Sequence, residues 1–412
     1  MNTYYQENRY MLANLHSGNY YEAMKGLKKN DFLKKKQNKL LLLLEKGKLE
    51  HEAARFTESN ICLNEADQML DVWSDSKVRS LSGSDEGLNF GFLKALYAKL
   101  MGSTLVFSYR TEDYEKVMLH YYKALNYINL DSIDEAVVEA RQLDLLNQRL
   151  SDKKFAEPGY SYVQQAFPHL LMGILYEYRG DDDNALIAYE NAFTLYSSPV
   201  HKQLYGSDVP SQLKWDILNT ANRIGAKDKL DYYSKMWNLK YSAPAHSGEV
   251  ILFYEKGFVP HKDEVVIERQ TTYTRTVRQK TTVVPATLVY KVPRFVVSPA
   301  ECNVVIITLD KEAVNPENIY DPGFYMSKII NHRFEVEGNA LLTSSFASHE
   351  GMNNENRNAD TRHWQSLPSS IAYARIPVSI MNHEMRMYCG SDPSHRTILD
   401  HKHRLLIRRL RR

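Results

Sequence analysis

Little in this 412-residue sequence suggests a covalent or metal staple. There are 3 cysteines, Cys62, Cys302 and Cys389. They lie far apart and form no CxxC pair, which excludes a disulfide framework or a thiolate zinc site as the organising device. No stretch reaches the ~18–20 apolar residues of a membrane-spanning helix. The five leucines Leu40–Leu44 end at Glu45 and Lys46. An excess of one charge is also lacking: 52 basic residues face 50 acidic ones, a formal net charge of +2. No whole-chain field therefore gathers nucleic acid or lipid. The N-terminus, Met1-Asn-Thr-Tyr-Tyr-Gln-Glu-Asn, has neither a basic n-region nor an apolar h-region. The expectation is a cytoplasmic protein if Met1 is the true start, and otherwise a mature or truncated chain.

What is present is globular: 43% hydrophobic and 11% aromatic residues, enough for a large core. The length accommodates two domains of ~100–200 residues each. Charge is uneven. From His246 to Arg412 there are 22 basic and 18 acidic residues, net +4; the remainder carries 30 against 32, net −2.

The first 240 residues have apolar positions recurring at three and four, with little proline, and read as helix. The window Leu171–Tyr196 matches a tetratricopeptide pattern. Gly173 and Tyr176 stand three apart on a first helix, Ala185, Tyr189 and Ala192 follow on a second, and Gly180 lies in the turn. Small residues let two helices approach closely, and tyrosines fill the space between hairpins. Neither hairpin buries its apolar face alone, so neighbours must stack. Weaker copies place Gly47, Ser59, Leu63 and Ala66, then Ala124, Tyr127, Ala136 and Ala140, at equivalent spacings. Gly18 and Ala23 start the series, and Trp215, Leu218 and Gly225 begin a last pair ending near Leu239. The competing reading is an irregular bundle without a shared period. Loops are expected at Lys77–Leu88 and Phe155–Tyr160, with a helix at Phe92–Leu100.

The character changes at Ser242–Gly248. Beyond it, β-branched and aromatic residues alternate with period two. Strands are expected at Glu249–Tyr254, within Val265–Val284, at Leu288–Val297 with Pro293 at an edge or bulge, at Asn303–Leu309, at Ser370–Val378 and in Thr397–Leu410. A helix is expected at Phe324–Asn331 and a polar loop at Asn353–Asp360. The fold class is therefore α+β multidomain: a tetratricopeptide-like all-α superhelix over residues 1–241, a linker at 242–247, and a β-rich sandwich or half-barrel over 248–412.

Chemical motifs are sparse. His383-Glu384 lacks the second histidine of HExxH, because Met387 stands there. His401 and His403 share a strand face without a carboxylate or thiolate cluster, and read as solvated. No GxSxG, P-loop or GxGxxG is present. Ser344-Ser345 and Ser369-Ser370 lack the surroundings of a triad. Asp181-Asp182-Asp183 reads as a helix start with Asp183 as its cap, rather than a cation site. Asp360, Arg362 and Trp364 alternate along one side of an extended segment. They read as an internal ion pair with a stacked indole that pins a loop to the sheet, more than as a ligand anchor. The tail Arg404–Arg412 reads as an edge strand with solvent-facing arginines. Binding to an anionic membrane or to RNA phosphates are the other readings.

Three blocks carry a family resemblance: Gly248–Glu264 (GEVILFYEKGFVPHKDE), Leu288–Pro299 (LVYKVPRFVVSP) and Ala359–Val378 (ADTRHWQSLPSSIAYARIPV). With the first repeat around LLLLLEKGKLEHEAARFTESNICLNEAD, they resemble an uncharacterised bacterial family of tetratricopeptide-containing, lipid-anchored envelope proteins. The resemblance implies helical repeats followed by a β-rich domain, exported to the periplasm or outer membrane. It supplies no catalytic residues.

The expected function is a non-enzymatic scaffold that binds a protein or peptide in a groove of the repeats. No catalytic, cofactor-binding or metal residue is assigned, no cofactor is expected, and no specific nucleic acid. Peripheral membrane association is a further reading. The alternative function is carbohydrate binding or hydrolysis in the β-domain, with Asn353–Asp360 and Asp392–Arg396 as pocket loops.

Overall fold

The computed structural model describes residues 3–80, 108–152, 162–243, 248–277, 280–297, 305–309, 312–343, 359–378, 383–389, 392–399 and 405–409. The expected helix at Phe92–Leu100, the break at Phe155–Tyr160, most of the linker and of the loop Asn353–Asp360, and His401 and His403 lie outside these residues. Lys77–Ser80, expected as a loop, still belong to a helix.

The N-terminal part is built from helical hairpins. The pairs are α1 (Tyr4–His16) with α2 (Tyr20–Lys29), α3 (Lys39–Glu52) with α4 (Phe56–Ser80), α5 (Asp113–Asn129) with α6 (Ile133–Asp152), α7 (Ala166–Arg179) with α8 (Asp182–Tyr196), and α10 (Ser211–Arg223) with α11 (Lys227–Trp237). A short helix α9 (Pro199–Tyr205) precedes the last pair. Each second helix packs against the first helix of the next hairpin, the stacking by which such repeats share one core.

The small-residue pattern does what its spacing implies. A Cβ on Gly173 would lie 2.4 Å from Tyr189 Cδ1, and one on Gly47 would lie 2.6 Å from Leu63 Cδ2. The helices therefore touch backbone to side chain at these points. Ala23, Ser59, Ala136 and Ala185, each the fourth residue of its helix, are fully buried. Gly180 ends α7 at φ +85°, the left-handed conformation that glycine adopts without strain. The cap of α8 is Asp181, whose side chain accepts from the Asn184 N–H. Asp183, expected in that role, is the second residue of the helix.

Two four-stranded sheets and a ribbon follow. One sheet has the order β10 (Leu405–Arg409), β1 (Gly248–Lys256), β7 (Ser370–Val378), β6 (Glu317–Tyr320). The other runs β5 (Glu312–Val314), β4 (Val305–Leu309), β8 (His383–Cys389), β9 (Asp392–Leu399). All pairs are antiparallel except β1 with β10. The stretch expected as one strand at Thr397–Leu410 is split between β9 and β10. Asp392–Arg396, expected as a pocket loop, forms most of β9. Leu405–Arg409, the described part of the tail, form an edge strand of the first sheet, as expected.

The ribbon pairs β2 (His261–Val277) with β3 (Lys280–Val296). At ~3.3 Å per residue, its 17-residue strands reach about 55 Å. Pro285 and Pro293 sit eight apart on β3, so both fall at the same kind of ladder position. A two-stranded ribbon leaves one edge of each strand free, which is where proline costs no ladder bond. The expected helix at Phe324–Asn331 is longer: α12 (Pro322–Tyr325), a π-helical turn (Met326–Ile330) and α13 (Asn331–Thr343) run consecutively.

Alternation along β1 shows how the first sheet is covered. Ile251 and Phe253 join the same core as the helices, while Val250, Leu252 and Tyr254 on the other face are also buried. That shared core contains Tyr4, Leu44, Tyr122, Phe167 and Ile217 of the hairpins together with Tyr320, Trp364 and Tyr373. The β-rich half thus packs along the array, not on its last hairpin alone.

Candidate functional site

The groove expected to receive a partner is where the first helices α1, α3, α5, α7 and α10 face the rest of the chain. That face already holds a segment of the chain itself, Asp360–Leu367, irregular as far as Trp364 and turning at Gln365–Ser366. Thr361 Oγ1 accepts from the Tyr4 N–H at 3.0 Å, and Asn8 Nδ2 donates to Gln365 Oε1 at 3.2 Å. Glu45 Oε1 accepts from the Gln365 N–H at 2.8 Å. Glu115 Oε1 accepts from the Trp364 N–H and the Tyr109 hydroxyl, each at 2.5 Å. Two carboxylates of the array thus satisfy backbone donors of a segment that has no sheet partner at those positions. The open groove of the sequence reading is corrected here: the chain's own C-terminal third occupies it.

Arg362 makes a fork with Asp360, Nε to Oδ1 at 2.8 Å and Nη2 to Oδ2 at 2.6 Å, and its Nη1 donates to Asn38 Oδ1 at 2.8 Å. The guanidinium lies over the Tyr109 ring. Trp364 is fully buried, tilted against Tyr122, and its Nε1 donates to Ser366 Oγ. The internal ion pair is as expected, but the indole does not stack on it. Most anchor points are on the helices, and β2 adds two: Lys262 donates to the Arg362 carbonyl oxygen at 3.1 Å, and Glu264 accepts from the Ala359 N–H at 2.8 Å.

Two further charged centres join the same face to the sheet. Lys48, fully buried, bonds Glu255 Oε2 at 3.0 Å and Glu52 Oε1 at 2.5 Å, and its ammonium sits 3.9 Å from the Tyr122 ring centroid. Tyr122 completes the set by donating to Glu255 Oε1 at 2.9 Å. Arg375 on β7 fans onto Glu177 of α7 at 2.5 Å, Asp216 of α10 at 2.8 Å and Glu249 of β1 at 2.5 Å. Tyr373 donates to the other Asp216 oxygen at 2.8 Å. In both of these centres the buried cation has opposite partners, and a tyrosine hydrogen-bonds to one of its carboxylates.

Burial dominates the acidities. It pushes Glu45 and Glu115 up to about 7, against the hydrogen bonds that favour their charged forms. Asp216 rises to about 6 because burial outweighs Arg375. Glu177 is buried too, yet Arg375 and Arg223 hold it below the usual carboxylate range. His363, enclosed beside Lys262, is kept neutral well below the ordinary histidine value. These groups stitch two halves together.

Asp67, His120 and Glu139 bring potential metal-ligating atoms within 4.8 Å of one another. Lys123 Nζ lies 2.7 Å from Asp67 Oδ2 and 2.9 Å from Glu139 Oε1. The ammonium supplies the positive charge that a cation would bring, so the set reads as an ion-pair network.

The second helices present a different surface. On four of the five the sixth residue is apolar, Ile61 on α4, Val138 on α6, Ile187 on α8 and Tyr232 on α11, exposed by 63%, 50%, 53% and 57%; on α2 it is Lys25. The four apolar residues stand at the equivalent position of four hairpins, a row along the array. The sequence reading missed this row because it sought apolar residues that pack. Its signal at Ile61, Val138 and Ile187 was the residue two places after a buried small one, Ser59, Ala136 and Ala185.

No protein-family model matches the sequence, and no curated protein matches it. Among solved structures the chain is similar to MamA, at 16% identity and a TM-score of 0.31, with 54% of this chain and 89% of that chain covered. It is similar to BtubC (BKLC) from P. vanneervenii at 14% identity and a TM-score of 0.34, over 59% and 84% of the two chains. A second structure of MamA protein gives 15% identity and a TM-score of 0.29, over 58% and 97%.

Proposed function

We propose that this protein is a non-enzymatic scaffold that holds a protein or peptide partner on the outer face of its hairpins, within the bacterial cell envelope. The observation that carries the reading is the row Ile61, Val138, Ile187 and Tyr232. Four large apolar side chains stand exposed at one repeat position, while the opposite face is filled by the chain itself. Exposed apolar rows of this kind mark contact surfaces. The envelope placement rests on the family resemblance of the Gly248–Glu264, Leu288–Pro299 and Ala359–Val378 blocks.

The test is a photo-crosslinking amino acid placed at Val138 or Ile187 in cells, with Lys202 as control site. One defined adduct from both row positions, absent at Lys202 and lost when the remaining row residues become Asp, is the expected result. Equal adducts from Lys202 would overturn the outer-face reading. Fractionation with an antibody tests the compartment: a protein found wholly in the cytoplasmic fraction overturns the envelope placement.

A further inference from the structure

The N-terminal hairpin carries a charge pattern unlike the rest of the array. Between Arg9 and Arg55 there is no arginine, yet Lys25, Lys28, Lys29, Lys34, Lys35, Lys36 and Lys39 fall within fifteen residues, against Asp31 alone. All of them except Lys35 are exposed. Lys25 pairs with Glu22, Lys34 with Asp31 and Lys39 with Glu65, each pair at the surface. Lys35 lies over the Phe32 ring. Lys28 and Lys36 show no ion pair among the described residues, and Lys29 acts on Glu22 only through its charge.

The lysines share one place. Tyr21, Lys25, Lys28 and Lys29 follow at i, i+4, i+7 and i+8 on α2, one helical face. Tyr21 is 79% exposed. Lys25, Lys29, Asp31 and Phe32 line an open cleft of about 540 Å³ against Tyr10 of α1. The loop bearing Lys34 and Lys36 continues from that cleft to α3.

The remainder of the array has the opposite sign. Residues 1–54 carry 10 basic and 6 acidic groups, net +4, whereas residues 55–245 carry 20 basic and 26 acidic, net −6. A long polyanion tracking the array, as nucleic acid tracks a basic groove, would meet repulsion beyond the first hairpin. A flat anionic surface would meet only the basic end. Lysine is a compact, strongly hydrated point charge without arginine's bidentate fork, which suits many diffuse phosphate contacts over one shaped anion. An exposed tyrosine beside lysines is amphipathic in the way interfacial residues are.

We propose that the Lys25–Lys39 surface is a docking site for an anionic lipid bilayer, which the array meets end-on. The outer apolar row stays accessible in that pose, and this inference stands whether or not the row binds a protein.

The test uses the full chain with sedimenting vesicles of phosphatidylcholine alone or with 30% phosphatidylglycerol. Binding to the anionic vesicles at least tenfold stronger than to neutral ones, and weakened at least tenfold by 0.5 M salt, is expected. The exposed triple variant Lys28→Glu, Lys29→Glu, Lys36→Glu should lose at least tenfold while keeping its circular dichroism and melting temperature. The control Lys227→Glu, Lys235→Glu, at the other end of the array, should bind as the parent does. Three outcomes overturn the proposal: no binding to anionic vesicles, full binding by the triple variant, or tighter binding of single-stranded RNA than of vesicles. Loss of binding on Arg408→Ala, Arg409→Ala would move the site to the C-terminal strand, and also overturns it.

Discussion

The first helices of the hairpins bury charge; the second helices expose hydrocarbon. On the first, Glu45, Lys48, Glu115, Glu177 and Asp216 are buried or nearly so, and each is engaged by a residue beyond position 248. On the second, Ile61, Val138, Ile187 and Tyr232 face solvent. Repeat arrays ordinarily offer their first-helix face to a partner. Here that face is committed internally, and the polar anchors fix which segment lies on it and in which register. Apolar contact would have served stability as well; buried ion pairs add selectivity at an energetic cost.

The sharpest way to break this contrast is to remove one buried charge. Lys48→Met strands Glu255 and Glu52 in a low-dielectric site, and should cost about 3–5 kcal/mol. Adding Glu255→Met should recover part of the loss. Urea unfolding measures both, and no recovery in the double variant would mean that the pair is not coupled as the geometry has it. Trp364→Ala should cost a similar ~3–5 kcal/mol through the cavity it leaves. Helical and β signals should then fall in one transition. An unchanged helical transition would show that the array stands without its internal peptide.

Acidity gives the next effect. Glu45 and Glu115 hold their protons to about pH 7 when folded, whereas an unfolded glutamate releases its proton near 4.3. Between those values the folded state binds more protons, so stability falls as pH rises through the window and then levels. Each group costs about 3 kcal/mol at pH 8 relative to pH 4. Glu45→Gln keeps an acceptor for the Gln365 N–H and removes the titration. Its stability relative to the parent should therefore improve from pH 5 to about pH 7 and then level off. A constant difference across that range would refute the assignment.

Smaller effects separate packing from backbone. Gly173→Ala drives a methyl into Tyr189 and should cost about 1–3 kcal/mol. Gly180→Ala meets nothing within 4 Å and pays only for its positive φ, about 1 kcal/mol. Ile187→Asp on the outer row should leave stability within ~0.5 kcal/mol, while weakening the partner's crosslink. A large thermal shift from that substitution would mean the row is structural.

Much of this was legible locally. Gly173, Gly180 and Ala185 announce a hairpin because the spacing of close contacts is itself a short-range pattern. Gly248–Lys256 and Ser370–Val378 alternate as strands do. The internal peptide was not legible. Tyr4 meets Thr361 across 357 residues, and no period or composition encodes a contact between two segments so far apart. The parallel pairing of β10 with β1 was hidden for the same reason. Asp360 and Arg362 were recognised as a pair because they are two residues apart, while their helical anchor Asn38 is 324 residues from Arg362.

That separation sets an order of events during synthesis. Glu45 precedes Gln365 by 320 residues. At ~5–20 residues per second, the carboxylate waits roughly 16–64 s for the amide that completes it. The early hairpins thus leave the ribosome with their acidic anchors still hydrated and their seam open, and closure awaits the segment around Gln365. A prematurely terminated product would display that unfinished seam, a ready signal by which quality control can tell a partial chain from a whole one.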